Sequence, residues 1–413
     1  MTQTQDTHVA GVTLPSHPQA YLVGRERVVA DREWPVELPV RGTWKVTGKA
    51  GSGVTSFLID TAVERIRAGA DPAGVVFLTA SKESGARVRA ELSDRLAVSG
   101  FVADEPIVRS IHSLAFALVR LGDPAAGENP ADAEPIRLIS GAEQDFAIRE
   151  LLQGHATDGG GTWPAELRPA LPMVGFARQL RDFLLRAVER TLTPDDLRAM
   201  GQRHGIPVWS AAGDFLAEYQ DVMALYGARS YSASELVAHA VRAPLPKTWH
   251  TVIVDDAQHL DPASGQLVEQ LSAGAELTVI GGDEEQSVFR FRGASPLFFR
   301  GLGSSSGGIG AGAGVQVIDL GATKRNPSAE AVIAPNSAAN NAAVVDRLRR
   351  WHLEDGLAWR DMGVVVRSVG MIEPLRRALL QAGVPVAVNP TDVVLAEQRI
   401  VAAMLLGLKA LTE

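Results

Sequence analysis

A chain of 413 residues with 46% apolar content is long enough for two or three globular domains. No apolar run reaches bilayer-spanning length, and the absence of cysteine excludes disulfides and thiolate metal sites. A formal net charge of −8 argues against a protein that coats nucleic acid non-specifically, but not against one that holds a strand in a local arginine-lined cleft.

Residues Met1 to Pro18 lack the basic region and apolar core of a secretory signal, which points to the cytoplasm. The first apolar run, Thr43–Val46, reads as a core strand. It is followed by Gly48-Lys49-Ala50-Gly51-Ser52-Gly53-Val54-Thr55-Ser56 and a helix over Ser56–Arg67. Strand, glycine-rich turn and helix are the context of a P-loop, in which backbone N–H groups converge on phosphate at a helix N-terminus. Taken alone the segment also reads as a glycine-rich turn. The pattern departs at Val54, where the lysine that neutralises the β- and γ-phosphates belongs. Thr55 keeps a hydroxyl that could reach Mg²⁺. Lys49 could partly replace the missing cation, or simply be a solvated loop lysine.

Further short runs, Val75–Leu78, Ile107–Val108, Val252–Val254 and Leu277–Ile280, read as strands buried on both faces. They alternate with helical patterns such as Ser84–Leu96, which predicts a doubly wound α/β domain. Between about 116 and 240 the texture is helical, with helices expected over Arg137–Leu152, Leu180–Thr191, Asp214–Gly227 and Ser234–Val241. Turn-rich pieces separate them. Thr251–Val254 ends in Asp255-Asp256-Ala257-Gln258, an apolar strand closing on two carboxylates. Such a pair serves either as a loop cap or as metal and proton chemistry at a strand end.

Leu277–Ile280 leads into Gly281-Gly282-Asp283-Glu284-Glu285-Gln286-Ser287-Val288-Phe289-Arg290-Phe291-Arg292-Gly293-Ala294. Rings and guanidinium groups alternate over Phe289–Arg292. A surface that stacks on bases and holds phosphates needs this composition. An acidic turn fused to such a surface suggests a motor. If the segment is extended, Phe289 and Phe291 face the same side, and both could then be core residues under a surface turn. Residues 301–314 are a Gly/Ser-rich linker. Beyond it Val315–Leu320, Val364–Val366 and Val384–Val388 are expected to be strands of a second α/β unit, which ends in an apolar helix at Met404–Leu411.

The run 281–294 resembles motif III of the UvrD/Rep/PcrA-like superfamily 1 DNA helicases, Gly-Asp-x-x-Gln-Ser-Ile-Tyr-x-Trp/Phe-Arg-Gly-Ala. Asp255–Gln258 resembles motif II, Asp-Glu-x-Gln; Leu78-Thr79-Ala80-Ser81-Lys82 resembles motif Ia; Ser110-Ile111-His112-Ser113-Leu114 resembles Thr-Phe-His-Ser. Leu320–Asn326 resembles motif IV, and Asp361–Ser368 the start of domain 2A. The resemblance implies a P-loop NTPase (RecA-like) parallel-sheet domain over 20–300 with a helical insertion at about 116–240, a linker at 301–314, and a partial second RecA-like domain over 315–413.

It also implies roles. ATP and Mg²⁺ would be the cofactors, held by Gly48, Lys49, Gly51, Ser52, Gly53, Val54, Thr55 and Ser56, with Thr55 and Asp255 at the metal. Asp255, Asp256, Gln286 and Arg325 would form the catalytic set, with Arg325 at the γ-phosphate. Ser81, Lys82, His112, Ser113, Phe289, Phe291 and Arg292 would bind DNA. Departures cluster at ATP: Val54, Asp256 in place of Glu, Lys324 in place of the adenine-stacking aromatic, and no adenine-reading Gln ahead of Gly48. The DNA-facing positions are better kept.

That asymmetry implies a helicase subunit with a weakened engine, its own ATPase weak or lost. The pattern also resembles AdnA-type subunits of actinobacterial AdnAB helicase-nucleases. The implied partners are single-stranded or duplex-end DNA and an AdnB-like motor subunit, and the implied role is double-strand-break processing. A non-catalytic DNA-binding scaffold that clamps a true motor is the alternative. An unrelated P-loop kinase would have no use for the aromatic–arginine run. Counterparts of motifs V and VI and of a nuclease domain are missing, so the 413 residues are expected to be a fragment or a truncated product.

Overall fold

The computed structural model describes residues 32–97, 106–121, 136–225, 230–303, 314–323 and 332–387, with 403–404 and 406–407. It divides into two compact units, Met1–Asn326 and Pro327–Glu413.

The first unit is built on a parallel sheet. Its strands are β1 (Gly42–Thr47), β2 (Val75–Thr79), β3 (Val108–Ser110), β6 (Thr251–Val254), β7 (Leu277–Gly282) and β8 (Gln316–Asp319), in the spatial order β3-β2-β6-β7-β1-β8. Every pairing is parallel. A two-residue pair, β4 (Arg137–Leu138) with β5 (Ser230–Tyr231), stands apart. On β2, Val75 and Phe77 face one buried cluster while Val76 and Leu78 face another. Side chains alternate along a strand, so a strand covered on both faces must be apolar throughout. This is why the sequence shows runs rather than alternation.

One face is covered by α1 (Val54–Arg67) and α2 (Lys82–Ala97). The other is covered by α3 (Ile111–Leu121), α8 (Ala233–Arg242) and α9 (Pro262–Ser272), with Phe299 of α10 (Leu297–Gly301) fully buried among them. Fully burying a large apolar side chain contributes about 1.5–3 kcal/mol.

The helical insertion consists of α4 (Gly141–Asp158), α5 (Val174–Glu189), α6 (Pro194–His204) and α7 (Pro207–Leu225), around a core that includes Leu152, Leu180, Leu184, Phe215 and Leu216. The helix expected from Arg137 starts later. Ser140 accepts from Glu143 N–H while Glu143 returns a bond to Ser140, a capping box that sets the start at Gly141. Arg137–Leu138 are thereby left to pair with β5. Thr193 and Ser232 form the same boxes at α6 and α8.

The run 315–320, expected to open the second unit, instead joins the first. Trp44 to Thr47 of β1 pair with Gln316 to Asp319. The second unit contains α11 (Ser337–Leu353) and α12 (Ile372–Gln381) around Leu348, Leu375, Leu379 and Val384. Val364–Val366 and the described part of Val384–Val388 are not strands. No strand of that unit lies beside them among the described residues, and Pro385 removes a ladder donor. Most of the 301–314 linker and most of the expected helix at Met404–Leu411 lie outside the described residues.

Candidate functional site

Strands β6, β7 and β1 are neighbours and run the same way, so the turns after them emerge side by side at one sheet edge. Gly48, Asp255 and Asp283 begin or occupy those turns. Between them lies a cleft of about 580 Å³, lined by residues including Gly48, Lys49, Gly51, Gly53, Val54, Thr55, Ser56, Asp255, Asp256 and Gln286. Clefts at the carboxyl ends of parallel strands are the usual ligand seats of open α/β sheets.

The phosphate-loop geometry is present. Gly51 and Gly53 hold left-handed φ values of 86° and 107°, which cost a glycine little. α1 begins at Val54 directly behind them, so its unpaired N–H groups face the loop. Ser52 is buried and its Oγ has no partner among the described residues. Thr55 Oγ1 donates to Asp255 Oδ1 at 3.1 Å. A hydroxyl touching a buried carboxylate is a donor set that suits Mg²⁺. Burial, and next the charge of Asp256, push the Asp255 pKa up to about 7, while Thr55 and Arg87 oppose the shift.

The phosphate cation fits less well. Val54 packs on the sheet core, and a Cβ built at Gly281 would lie 2.8 Å from Val54 Cγ1 and 2.7 Å from Leu58 Cδ1. Lys49 is ion-paired with Glu285, which raises the lysine pKa. Lys45, buried on β1, bonds Glu284 at 2.8 Å. Among the described residues, both lysines beside the loop therefore have carboxylate partners.

Asp256 sits at the cleft with φ 56° and ψ 41°, a left-handed conformation that is uncommon outside glycine. Its carboxylate accepts from Gln258 Nε2 at 3.1 Å, and its carbonyl accepts from His259 N–H at 2.9 Å. Gln258 is buried and was not among the expected site residues, although it closes the Asp-Asp-Ala-Gln run. Its Oε1 accepts from Asp283 N–H at 3.1 Å and its carbonyl accepts from Ser287 Oγ at 3.2 Å. It thus ties the turn after β6 to the turn after β7. Gly282 permits this: a Cβ there would stand 2.3 Å from Gln258 Oε1. Gln258→Ala is expected to cost about 1–3 kcal/mol, because it leaves the Asp283 N–H and the Asp256 carboxylate without their partner. Chemical denaturation checks this, and an unchanged midpoint would exclude the bridge.

The segment after β7 is not extended. Short 3-10 turns form at Glu284–Gln286 and Arg290–Arg292. Phe289 is 36% exposed and meets His259 edge-on at 4.8 Å, whereas Phe291 is 75% exposed. Arg292 Cζ lies 5.7 Å from the Phe289 ring centre and 5.3 Å from that of Phe291. The two rings are therefore not a shared core.

Ser81 and Lys82 follow β2, and His112 and Ser113 open α3 after β3, at the same sheet edge. Lys82 is close enough to help lower the His112 pKa, whose main cause is desolvation, with Asp261 opposing. His259 connects the two groups, since it lines the cleft and touches Phe289. Arg325 lies outside the described residues, as does Lys324. Arg32 and Trp34 also line the cleft, with Trp34 Nε1 donating to Asp60 at 2.8 Å. Both precede Gly48, in the stretch that carries no adenine-reading glutamine.

A phosphate loop, a paired strand-end acid and an exposed aromatic–arginine turn on one parallel sheet define the nucleotide-cleft domain of a nucleic-acid motor. The family model of the UvrD/REP helicase N-terminal domain matches residues 30–305, more than half of the chain. The chain belongs to that family, whose members are DNA helicases that use ATP and Mg²⁺. No curated protein matches it. No helix among the described residues is long and apolar enough to cross a membrane.

Proposed function

We propose that this chain is the strand-holding subunit of an ATP-dependent DNA helicase, with its own ATP site degenerate. The carrying observation is a contrast at one sheet edge. Val54 packs on the core where the phosphate cation belongs, while Phe291 stands in solvent beside Arg292. Stacking on single-stranded DNA is sequence-tolerant because every base has a π-face, so such a turn suits a protein that moves along or clamps a strand.

On this reading Ser81, Lys82, His112 and Ser113 extend the strand path, and Arg325 completes the phosphate side. The motor is a separate AdnB-like subunit that hydrolyses ATP normally, and the heterodimer processes double-strand breaks during DNA repair. The pattern of kept and lost motif residues supports this division of labour.

The test is a titration of labelled single-stranded DNA and of ATP, with the chain alone and with the motor partner. The expected result is micromolar or tighter DNA binding by the chain alone, with ATP turnover only in the complex. DNA binding that requires the partner would overturn the assignment.

A further inference from the structure

Helix α5 of the insertion ends at Glu189, which is 5% exposed. Glu189 Oε1 accepts from Arg186 Nη2 at 2.7 Å and from Ser234 Oγ at 3.1 Å. Its Oε2 has no partner among the described residues, and neither do Arg186 Nε and Nη1. This half-satisfied pair lies against Gly293, which closes the aromatic–arginine turn. A Cβ built on Gly293 would stand 1.8 Å from Glu189 Oε2 and 2.6 Å from Arg186 Nη1. Gly293 has φ +89°, its N–H donates to Arg290 O at 3.1 Å, and Ala294 N–H donates to Phe289 O at 3.2 Å. The turn that presents Phe289, Phe291 and Arg292 therefore rests on two side chains from the insertion.

We propose that Glu189 is a positioning residue for single-strand binding: wedged with Arg186 beneath Gly293, it fixes the turn from which Phe291 and Arg292 meet the strand. The proposal rests on the strand-holding function above. Buried polar groups without full partners are costly unless held. A carboxylate kept in that condition under a residue that must be glycine marks a close contact that a neutral filler would not need.

The carboxyl also titrates where the effect can be read. Burial raises the Glu189 pKa to about 7, with the Arg186 charge opposing. The groups that face it are Arg186 on α5, Arg190 directly after it, Ser234 on α8 and Asp261 at the start of α9, and the turn itself carries Arg290 and Arg292. Below the pKa the carboxyl is neutral, and a negative charge under the turn is removed. As pH falls from 8 to 6, affinity for a phosphate strand should therefore gain about 2- to 3-fold from this group, the worth of one nearby screened charge.

The experiment is a double-mutant cycle on the full chain, with a labelled oligothymidine as probe and variants Glu189→Ala, Gly293→Ala and both. Gly293→Ala should weaken binding by about 10-fold in the parent and several-fold less when Glu189 is absent. The clash with the carboxylate is then gone while the closer approach to Arg186 remains, and the φ penalty cancels in the cycle. Residues in contact show such coupling, whereas separate ones add. Glu189→Gln, which keeps shape and hydrogen-bond acceptor but carries no charge, should bind about 2- to 3-fold tighter than the parent at pH 8, match it at pH 6 and so lose the Glu189 share of the pH response. It also carries the test if an alanine variant fails to fold. Additive alanine effects, or a Glu189→Gln profile identical to the parent's, would overturn the proposal. A parent chain that binds no oligothymidine would overturn the strand-holding function as well. Binding by the parent with an additive cycle would remove only the seat.

Discussion

Phe291→Ala is expected to weaken single-stranded DNA binding by roughly 5- to 150-fold, since base–aromatic stacking is worth about 1–3 kcal/mol. Phe291 is 75% exposed and its main neighbours are Phe289, at 6.4 Å between ring centres, and the Arg292 guanidinium. Removing it opens no core cavity, so thermal stability should move by no more than a surface substitution does, about 0.5 kcal/mol. The salt dependence should stay as it is, because no phosphate contact is lost. Phe289→Ala should behave differently: that ring packs on His259, so both stability and affinity should fall. Arg292→Ala should flatten the salt slope by up to about one contact if its guanidinium meets a phosphate. Fluorescence anisotropy at several salt concentrations, beside a melting curve, reads all three. Unchanged affinity for Phe291→Ala alongside a clear drop in melting temperature would decide for packing and against a stacking platform.

The sheet was legible because strands covered on both faces must be apolar throughout, and β2, β6 and β7 are buried from end to end. β8 was misassigned for the opposite reason. At the sheet edge only Ile318 is buried, so the run carries little signal of its own, and the glycine-rich stretch before it looked like a boundary. The cleft was legible because phosphate chemistry sits at strand ends, which motif spacing marks.

What stayed hidden depends on tertiary proximity. Gln258 matters because Gly282 lets it reach Asp283, more than twenty residues on. Arg186 and Glu189 gain their role only because Gly293, about a hundred residues away, is laid over them. The Lys49–Glu285 pair likewise joins two turns that only the β1–β7 pairing brings together.

The purified chain is expected to hydrolyse ATP slowly even with DNA, and Val54→Lys alone should not restore it. The P-loop lysine neutralises charge on the transferring phosphoryl group, and among the described residues no lysine beside the loop is placed to replace it without first breaking an ion pair, Lys45 with Glu284 or Lys49 with Glu285. Asp256 adds a second defect. Its carboxyl is one methylene shorter than the family's glutamate, and a displacement of about 1 Å at a reacting group can cost ~100-fold. Its Oδ1 is also taken up by Gln258. A new ammonium at position 54 would have to leave the core contact that Val54 makes near Gly281 and Leu58, and the short acid would remain. Val54→Lys with Asp256→Glu should therefore gain more than the product of the two single changes, because each repairs a site the other still blocks. DNA-stimulated phosphate release separates the outcomes. Turnover by the parent chain in the range of ordinary enzymes, about 1–10³ s⁻¹, or full recovery with Val54→Lys alone, would sink the degenerate-site reading.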